Sequence, residues 1–149
     1  MDEDNFRSTY KQLNPERCCF EKSITAKRCS CQYTIKFLLA SREGVKCSNS
    51  KSKEKCILFL NLLREHARFA LKQTKIDGPL PHKKEIKVQV GGLLGLQKAS
   101  NNSDETNVAS IILLLKEAII RYQSIEQYPY DDIIQSVVNF EIRSKHKLK

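Results

Sequence analysis

The chain has 149 residues, of which 40% are hydrophobic and 29% are charged, and its formal net charge is +9. This length and composition are typical of one folded domain and exclude wholesale disorder. No apolar run reaches about 18 residues, which excludes a transmembrane helix. The first five residues are acidic and lack the apolar segment of a secretory signal. The sequence therefore predicts a cytoplasmic protein without a membrane span.

Charge is distributed unevenly along the chain. The net charge is +10 over residues 1–100, −4 over residues 101–140 and +3 over the last nine residues. Because opposite charges attract, this asymmetry favours contact between the two halves. We expect a basic cysteine-containing domain at 1–97, a linker or exposed loop at 98–107, and a C-terminal helical arm at 108–149 that packs on the same domain.

Apolar spacing predicts two helices in the first half of the chain. Over residues 32–42, Ile35, Leu38 and Leu39 recur at helical intervals. Over residues 52–73, apolar side chains recur every three or four positions and therefore share one face.

Residues 85–97 have two interpretations. Ile86, Val88 and Val90 alternate with polar residues, which favours a strand that the following Gly-Gly pair would turn into a hairpin. The alternative is a close-packed helix, because the first of these glycines and Gly95 are four positions apart.

The C-terminal part predicts two amphipathic helices, one over residues 105–123 and one that begins at Asp131, with Pro129 marking the break between them. The predicted fold class is therefore mainly α. It is a small helical domain with a short β-hairpin at about 85–97 and two C-terminal amphipathic helices.

Six cysteines lie within the first 56 residues and none follow. Thiolates are the soft ligands that hold zinc, Cu(I) and iron–sulfur clusters, and a tetrahedral site or a cluster takes four of them. The spacing matches none of the familiar motifs, so the clustering itself is the signal. We expect zinc or an iron–sulfur cluster to be held by four of these six residues: Cys18, Cys19, Cys29, Cys31, Cys47 and Cys56.

Two other states of the thiols compete with a metal site. A reducing cytosol disfavours disulfides, whereas free cysteines are often small buried hydrophobic residues.

Cys29 and Cys31 precede the helix predicted at 32–42, where free N–H groups would favour thiolates.

No arrangement of Ser, His and Asp or of paired carboxylates stands out, so catalysis has no positive support. We predict a thiolate metal-site protein with an accessory, electron-transfer or sensing role and a protein partner. One alternative is a helical protein-interaction module with inert thiols. The other is a basic nucleic-acid-binding module with structural zinc, whose phosphate contacts would be Lys51, Lys53, Lys55, Lys83, Lys84 and Lys87.

Overall fold

A computed structural model describes residues 9–72 and 80–141 of the chain. Residues 9–13 are helical. The further elements are α1 (Glu21–Thr25), β1 (Thr34–Leu39), β2 (Arg42–Cys47), α2 (Ser50–Ala67), α3 (His82–Asn101), α4 (Ile111–Tyr122), a 3-10 helix (Ile125–Gln127) and α5 (Tyr130–Asn139). The predicted mainly α fold with one short hairpin is confirmed for these ranges. None of their helices combines the length and apolarity needed to cross a membrane.

Some predictions fall outside the described residues. They are the last residue of the helix predicted at 52–73 and residues 142–149 of the predicted C-terminal arm. The remainder of the helix predicted at 52–73 corresponds to α2, which begins where the Asn49 side chain accepts a hydrogen bond from the Ser52 N–H at 2.9 Å. Such a cap satisfies a backbone donor that the first helical turn leaves free.

The hairpin lies earlier in the chain than predicted, and the helix predicted at 32–42 is wrong. β1 and β2 pair antiparallel, with Thr34 opposite Cys47 and Leu39 opposite Arg42. The two linking residues, Ala40 and Ser41, both have positive φ (51° and 70°), as a type I′ turn requires. The apolar spacing of Ile35, Leu38 and Leu39 does not correspond to a buried face, because Leu38 is 73% exposed.

The strand and hairpin predicted at 85–97 are also wrong, because these residues belong to α3. Gly91 and Gly95 lie against α5. A Cβ on Gly91 would stand 2.7 Å from the Cα of Val137, and a Cβ on Gly95 would stand 2.9 Å from the carbonyl oxygen of Ile133. The glycine spacing therefore permits two helix backbones to approach. α3 also continues through Asn101 into the linker predicted at 98–107.

Helices α4 and α5 bear out the two predicted amphipathic helices, although α4 begins at Ile111. Together with α2 and α3 they enclose one hydrophobic core. The Phe59 ring of α2 lies in that core, 5.5 Å from the Tyr128 ring and 6.3 Å from the Phe20 ring. This aromatic cluster holds the second turn of α2, which carries Cys56, against the N-terminal segment.

Replacing Gly91 with alanine tests the close approach of α3 and α5. A Gly→Ala change inside a helix ordinarily stabilises by about 1 kcal/mol. Here the added methyl meets backbone that cannot rotate away, so we expect a net loss of about 1–3 kcal/mol in the free energy of unfolding, measured in urea. Gly92→Ala is the control, because the three atoms nearest to its Cβ belong to the end of the Leu63 side chain, which can shift more easily than backbone. Equal stability of the two variants would contradict the packing argument.

Candidate functional site

Five of the six cysteines line one small cavity. Its volume is about 10 Å³, which is close to the space that one water molecule needs. Thr34, Ser52, Lys53 and apolar side chains complete the wall. The lining thiols belong to Cys18, Cys19, Cys31, Cys47 and Cys56. We call this space the thiol cavity.

Backbone pairing brings Cys18 beside the end of β2. The Cys18 N–H donates to the Val45 carbonyl at 3.0 Å, and the Cys47 N–H donates to the Glu16 carbonyl at 2.8 Å. Residues 16–18 thus run along β2 on the edge that β1 does not occupy. Two cysteines that are distant in sequence therefore converge.

The hairpin and α2 supply the other thiols. Both the N–H and the hydroxyl of Thr34 donate to the Cys31 carbonyl, at 3.2 and 2.8 Å, in the turn that opens β1. Since Thr34 pairs with Cys47 across the hairpin, Cys31 comes to the same end of the sheet. Cys56 is buried on α2 and faces the cavity from the helical side.

Cys29 lies elsewhere. Its N–H donates to the Ser23 carbonyl at 3.3 Å, and it forms a parallel bridge with Val108. Its side chain is buried, and it does not line the thiol cavity. The expectation that a helix N-terminus would stabilise thiolates at Cys29 and Cys31 is wrong, because β1 and not a helix follows them.

The thiols with perturbed acidity favour the protonated form. Burial raises the pKa of Cys18 to about 11, although the Phe20 N–H bonded to its sulfur opposes this shift. Burial also raises the pKa of Cys29 to about 11 and holds the pKa values of Cys19 and Cys56 well above the ordinary range. A thiolate at these positions would therefore need a compensating cation.

Mutual charge interactions connect the cavity thiols. After burial, the pKa of Cys56 is raised further by negative charge on Cys18, Cys31 and Cys47. The pKa of Cys18 responds to Cys47 and Cys31 in the same sense, and after burial the pKa of Cys19 responds to Cys56 and Cys18. All five cavity thiols therefore take part in these interactions. As the side chains stand, however, no three His, Cys, Asp or Glu side chains within 9–72 and 80–141 are arranged to hold a metal ion.

A second cavity adjoins the thiol cavity. It is an open cleft of about 290 Å³, and Cys18 and Cys19 belong to the walls of both spaces. Arg17, Lys22 and Arg64 line it together with Glu21 and Glu85, and two of these cations are paired with the two carboxylates, Arg17 with Glu21 and Arg64 with Glu85. We call it the charged cleft.

A buried ionic network borders the charged cleft, and the sequence did not reveal it. The Glu85 carboxylate, in a residue only 1% exposed, accepts from Arg64 Nε at 3.2 Å and from Arg64 Nη2 at 2.6 Å. It also accepts from the Leu80 N–H and from Gln89 Nε2. Burial acts to raise the pKa of Glu85, but these hydrogen bonds outweigh it and the pKa is lowered. Gln89 Nε2 further donates to the Cys19 carbonyl at 3.1 Å, which ties the network to the thiols.

The sequence spacing of Glu85 and Gln89 indicates part of this network, but only if residues 85–97 are read as a helix. Glu85 and Gln89 are four residues apart and therefore share a face. The strand interpretation of 85–97 also put them on one face, but it treated both as surface residues. Only the position of Arg64 on α2 explains why a charge is tolerated there.

The six lysines proposed to contact phosphate lie on α2 and α3, and several have partners within the protein. Lys53 contacts the Glu16 carboxylate at 3.3 Å. Lys84 donates to the Leu71 carbonyl at 3.0 Å, and Lys87 donates to the Phe140 carbonyl at 2.6 Å. The other three are Lys51, Lys55 and Lys83, of which Lys51 and Lys83 are exposed and Lys55 is half-buried.

Comparison of the chain with protein families, with curated proteins and with solved structures found no match. The functional argument therefore rests on the geometry of the chain itself. Its most informative feature is the convergence of thiols from four separate segments on one cavity.

The raised thiol pKa values predict how stability depends on pH when no metal is bound. Above the ordinary cysteine pKa of about 8.5, the unfolded chain loses its thiol protons while Cys18 and Cys29 keep theirs up to about pH 11. The native state then binds more protons than the unfolded state, so stability falls as the pH rises through this window. Urea unfolding at several pH values measures the slope. In a Cys18→Ala/Cys29→Ala variant, the free energy of unfolding should fall less steeply with pH. An unchanged slope would show that these two thiols do not cause the pH dependence.

Removing Arg64 tests the buried network. Arg64→Met leaves the Glu85 carboxylate buried without its cation, so we expect a loss of about 3–5 kcal/mol in the free energy of unfolding. Arg68→Met is the matched control, because Arg68 pairs with Glu65 at the surface, at 3.5 Å, where an ion pair contributes about 0–1 kcal/mol. Similar losses of stability in the two variants would contradict the claim that the buried Arg64–Glu85 pair matters more than a surface ion pair.

Proposed function

We propose that Cys18, Cys31, Cys47 and Cys56 bind one zinc ion, and that this chain is a small metal-site protein with an accessory or sensing role. The observation that carries the proposal is the convergence of five thiols on one cavity. Cysteines that serve only as small buried hydrophobic residues need to lie in the core, but they do not need to share one cavity. Cys29, which packs beside Val108 away from the others, is an example of that ordinary behaviour.

The size of the thiol cavity favours a single ion over an iron–sulfur cluster. A volume of about 10 Å³ suits one ion with four sulfurs around it at about 2.3 Å. A cluster carries several irons and sulfides between its four thiolates and needs much more room. Because the thiols do not yet stand in a ligating arrangement, binding requires them to rotate about their Cα–Cβ bonds toward the centre of the cavity.

A bound zinc ion would also offset the free-energy cost of forming thiolates at these buried positions. Zinc takes cysteine as the thiolate, so binding releases protons and is favoured by rising pH. Four thiolates around one Zn²⁺ leave a net charge of −2, which Lys53 in the wall and the Phe20 N–H at Cys18 partly offset. A site closed by four protein ligands has no open position for a substrate, which supports a non-catalytic role.

Metal content tests the proposal directly. The protein is purified without oxygen, and zinc, iron and acid-labile sulfide are measured together. We expect one zinc per chain, and adding a chelator should lower the free energy of unfolding by about 3 kcal/mol or more, since a ligand at a hundred times its Kd stabilises by that amount. If iron and acid-labile sulfide are found instead, the site holds an iron–sulfur cluster and the zinc proposal is wrong. If neither metal is found, the thiols are inert and the proposal is also wrong.

Cysteine variants identify the ligands. Cys31→Ser and Cys47→Ser should each lose most of the bound zinc, because serine oxygen is a poor substitute for thiolate. Cys29→Ser is the control, since its thiol is more buried than those of Cys31 and Cys47 but lies outside the cavity. It should retain one zinc per chain. Loss of zinc in the control alone would overturn the ligand set.

A further inference from the structure

The outer edge of β1 carries backbone groups without partners. Leu39 and Arg42 flank a two-residue turn, so they exchange hydrogen bonds, and every second residue along β1 bonds to β2 in the same way. The N–H and C=O groups of Lys36 and Leu38 therefore point away from β2. In the part of the chain that the structure describes, no hydrogen bond reaches these groups. The edge is thus a template on which a further strand can form.

Apolar side chains extend along the same edge. Leu38 is 73% exposed and Ile35 is 45% exposed, and they lie on opposite faces because successive residues of a strand alternate. Ile35, Phe37 and Leu39 share one face, where the Phe37 ring lies 6.0 Å from the Tyr10 ring. Pairing with another strand would therefore bury apolar surface as well as satisfy backbone groups.

We propose that the outer edge of β1 binds the same edge of a second copy of this chain, so that two hairpins form one four-stranded antiparallel sheet. The two-fold axis passes between the Phe37 residues of the two copies. Lys36 of each copy then stands opposite Leu38 of the other. Each such pair exchanges both of its N–H···O=C bonds, and all of the outward groups are paired.

Charge selects this register and this partner. An axis at Lys36 would set two lysines directly opposite each other, which is destabilising. An axis at Leu38 would pair Lys36 with Ala40, which lies in the turn. With the axis at Phe37, Lys36 shares a face and a row of the sheet with Glu43 of the second copy, because Glu43 pairs with Leu38 in each hairpin.

The lysine and the glutamate of that row can meet. Two strand spacings separate their Cα atoms by about 9–10 Å, which these two long side chains can span. Lys36 and Glu43 are both exposed in the single chain. Because the axis repeats the contact, each copy offers one lysine and accepts one, and the edge is complementary in charge to itself.

The opposite face of the four-stranded sheet becomes continuously apolar. Phe37 lies beside Phe37 of the second copy, and Ile35 lies beside Leu39 in both directions. Aromatic and aliphatic pairs of this kind are the units that stabilise antiparallel sheets. Two strands alone are marginal in water, and pairing with a second hairpin provides the additional strands that a stable sheet needs.

Sedimentation velocity of the full-length protein tests the proposal. A concentration series is measured in a reducing agent, so that no disulfide links two copies, and at an ionic strength of about 0.15 M. There the Debye length of about 8 Å limits repulsion between two chains that each carry +9. We expect the weight-average mass to rise with concentration toward that of a dimer.

Proline at position 36 tests the hydrogen bonds of the edge. Lys36→Pro removes an outward N–H and leaves the bonds to β2 intact, so we expect the Kd of the dimer to rise at least about tenfold. Lys36→Arg is the matched control, because it keeps both the N–H and the charge, and its Kd should equal that of wild type. Circular dichroism checks that both variants fold.

Charge reversal tests the register without proline. Lys36→Glu and Glu43→Lys each set like charges in one row, so each variant alone should associate more weakly than wild type. In an equimolar mixture the two variants complement each other, and association should return. Contacts within one chain cannot explain such a recovery.

Each result bears directly on the proposal. Wild type that stays monomeric up to about 1 mM, the weak end of the affinity scale, would overturn it. A dimer with an unchanged Kd in folded Lys36→Pro would overturn the role of the β1 edge. A mixture that associates no better than its two components would overturn the register. The proposed zinc site is judged separately, by metal content.

Discussion

Two backbone hydrogen bonds hold residues 16–18 along the free edge of β2, and the thiol cavity depends on them. Without the bonds from Cys18 to Val45 and from Cys47 to Glu16, the first pair of cysteines would have no reason to meet the hairpin. Short strands pair through obligatory backbone donors and acceptors, so this contact needs no particular side chains. It converts a separation of almost thirty residues along the chain into neighbouring positions in space.

Buried side chains reinforce the same contact. The Glu21 carboxylate of α1 accepts from the Val45 N–H and from Arg17 Nε, both at 2.7 Å, and also from the Tyr10 hydroxyl. Burial raises the pKa of Glu21 to about 7, against the opposing effect of the Val45 hydrogen bond. Asn14 adds a hydrogen bond to the Val45 carbonyl at 3.2 Å. The N-terminal segment is therefore fastened to β2 on both sides of the cysteines that it contributes.

A second anchor is the helical layer beneath the sheet. The glycines of α3 allow α5 to approach, and the Glu85 network joins α3 to α2 and to the Cys19 carbonyl. The thiols therefore converge on a cavity whose helical side is held by these contacts. Such a frame is what the proposed zinc site needs, because the packing and hydrogen bonds around metal ligands fix their orientation.

The sequence by itself determined the helices with a clear apolar period, α2, α4 and α5, together with the six candidate cysteines. These features follow from local spacing, which a single segment carries without its neighbours. Only the tertiary structure decided that 85–97 is helical. A helix that is buried on most sides has apolar residues all round, so its hydrophobic periodicity does not distinguish it from a buried strand. Only the tertiary structure separated Cys29 from the other five thiols and paired Arg64 with Glu85. Contacts between distant segments decide those questions, and local spacing does not encode them.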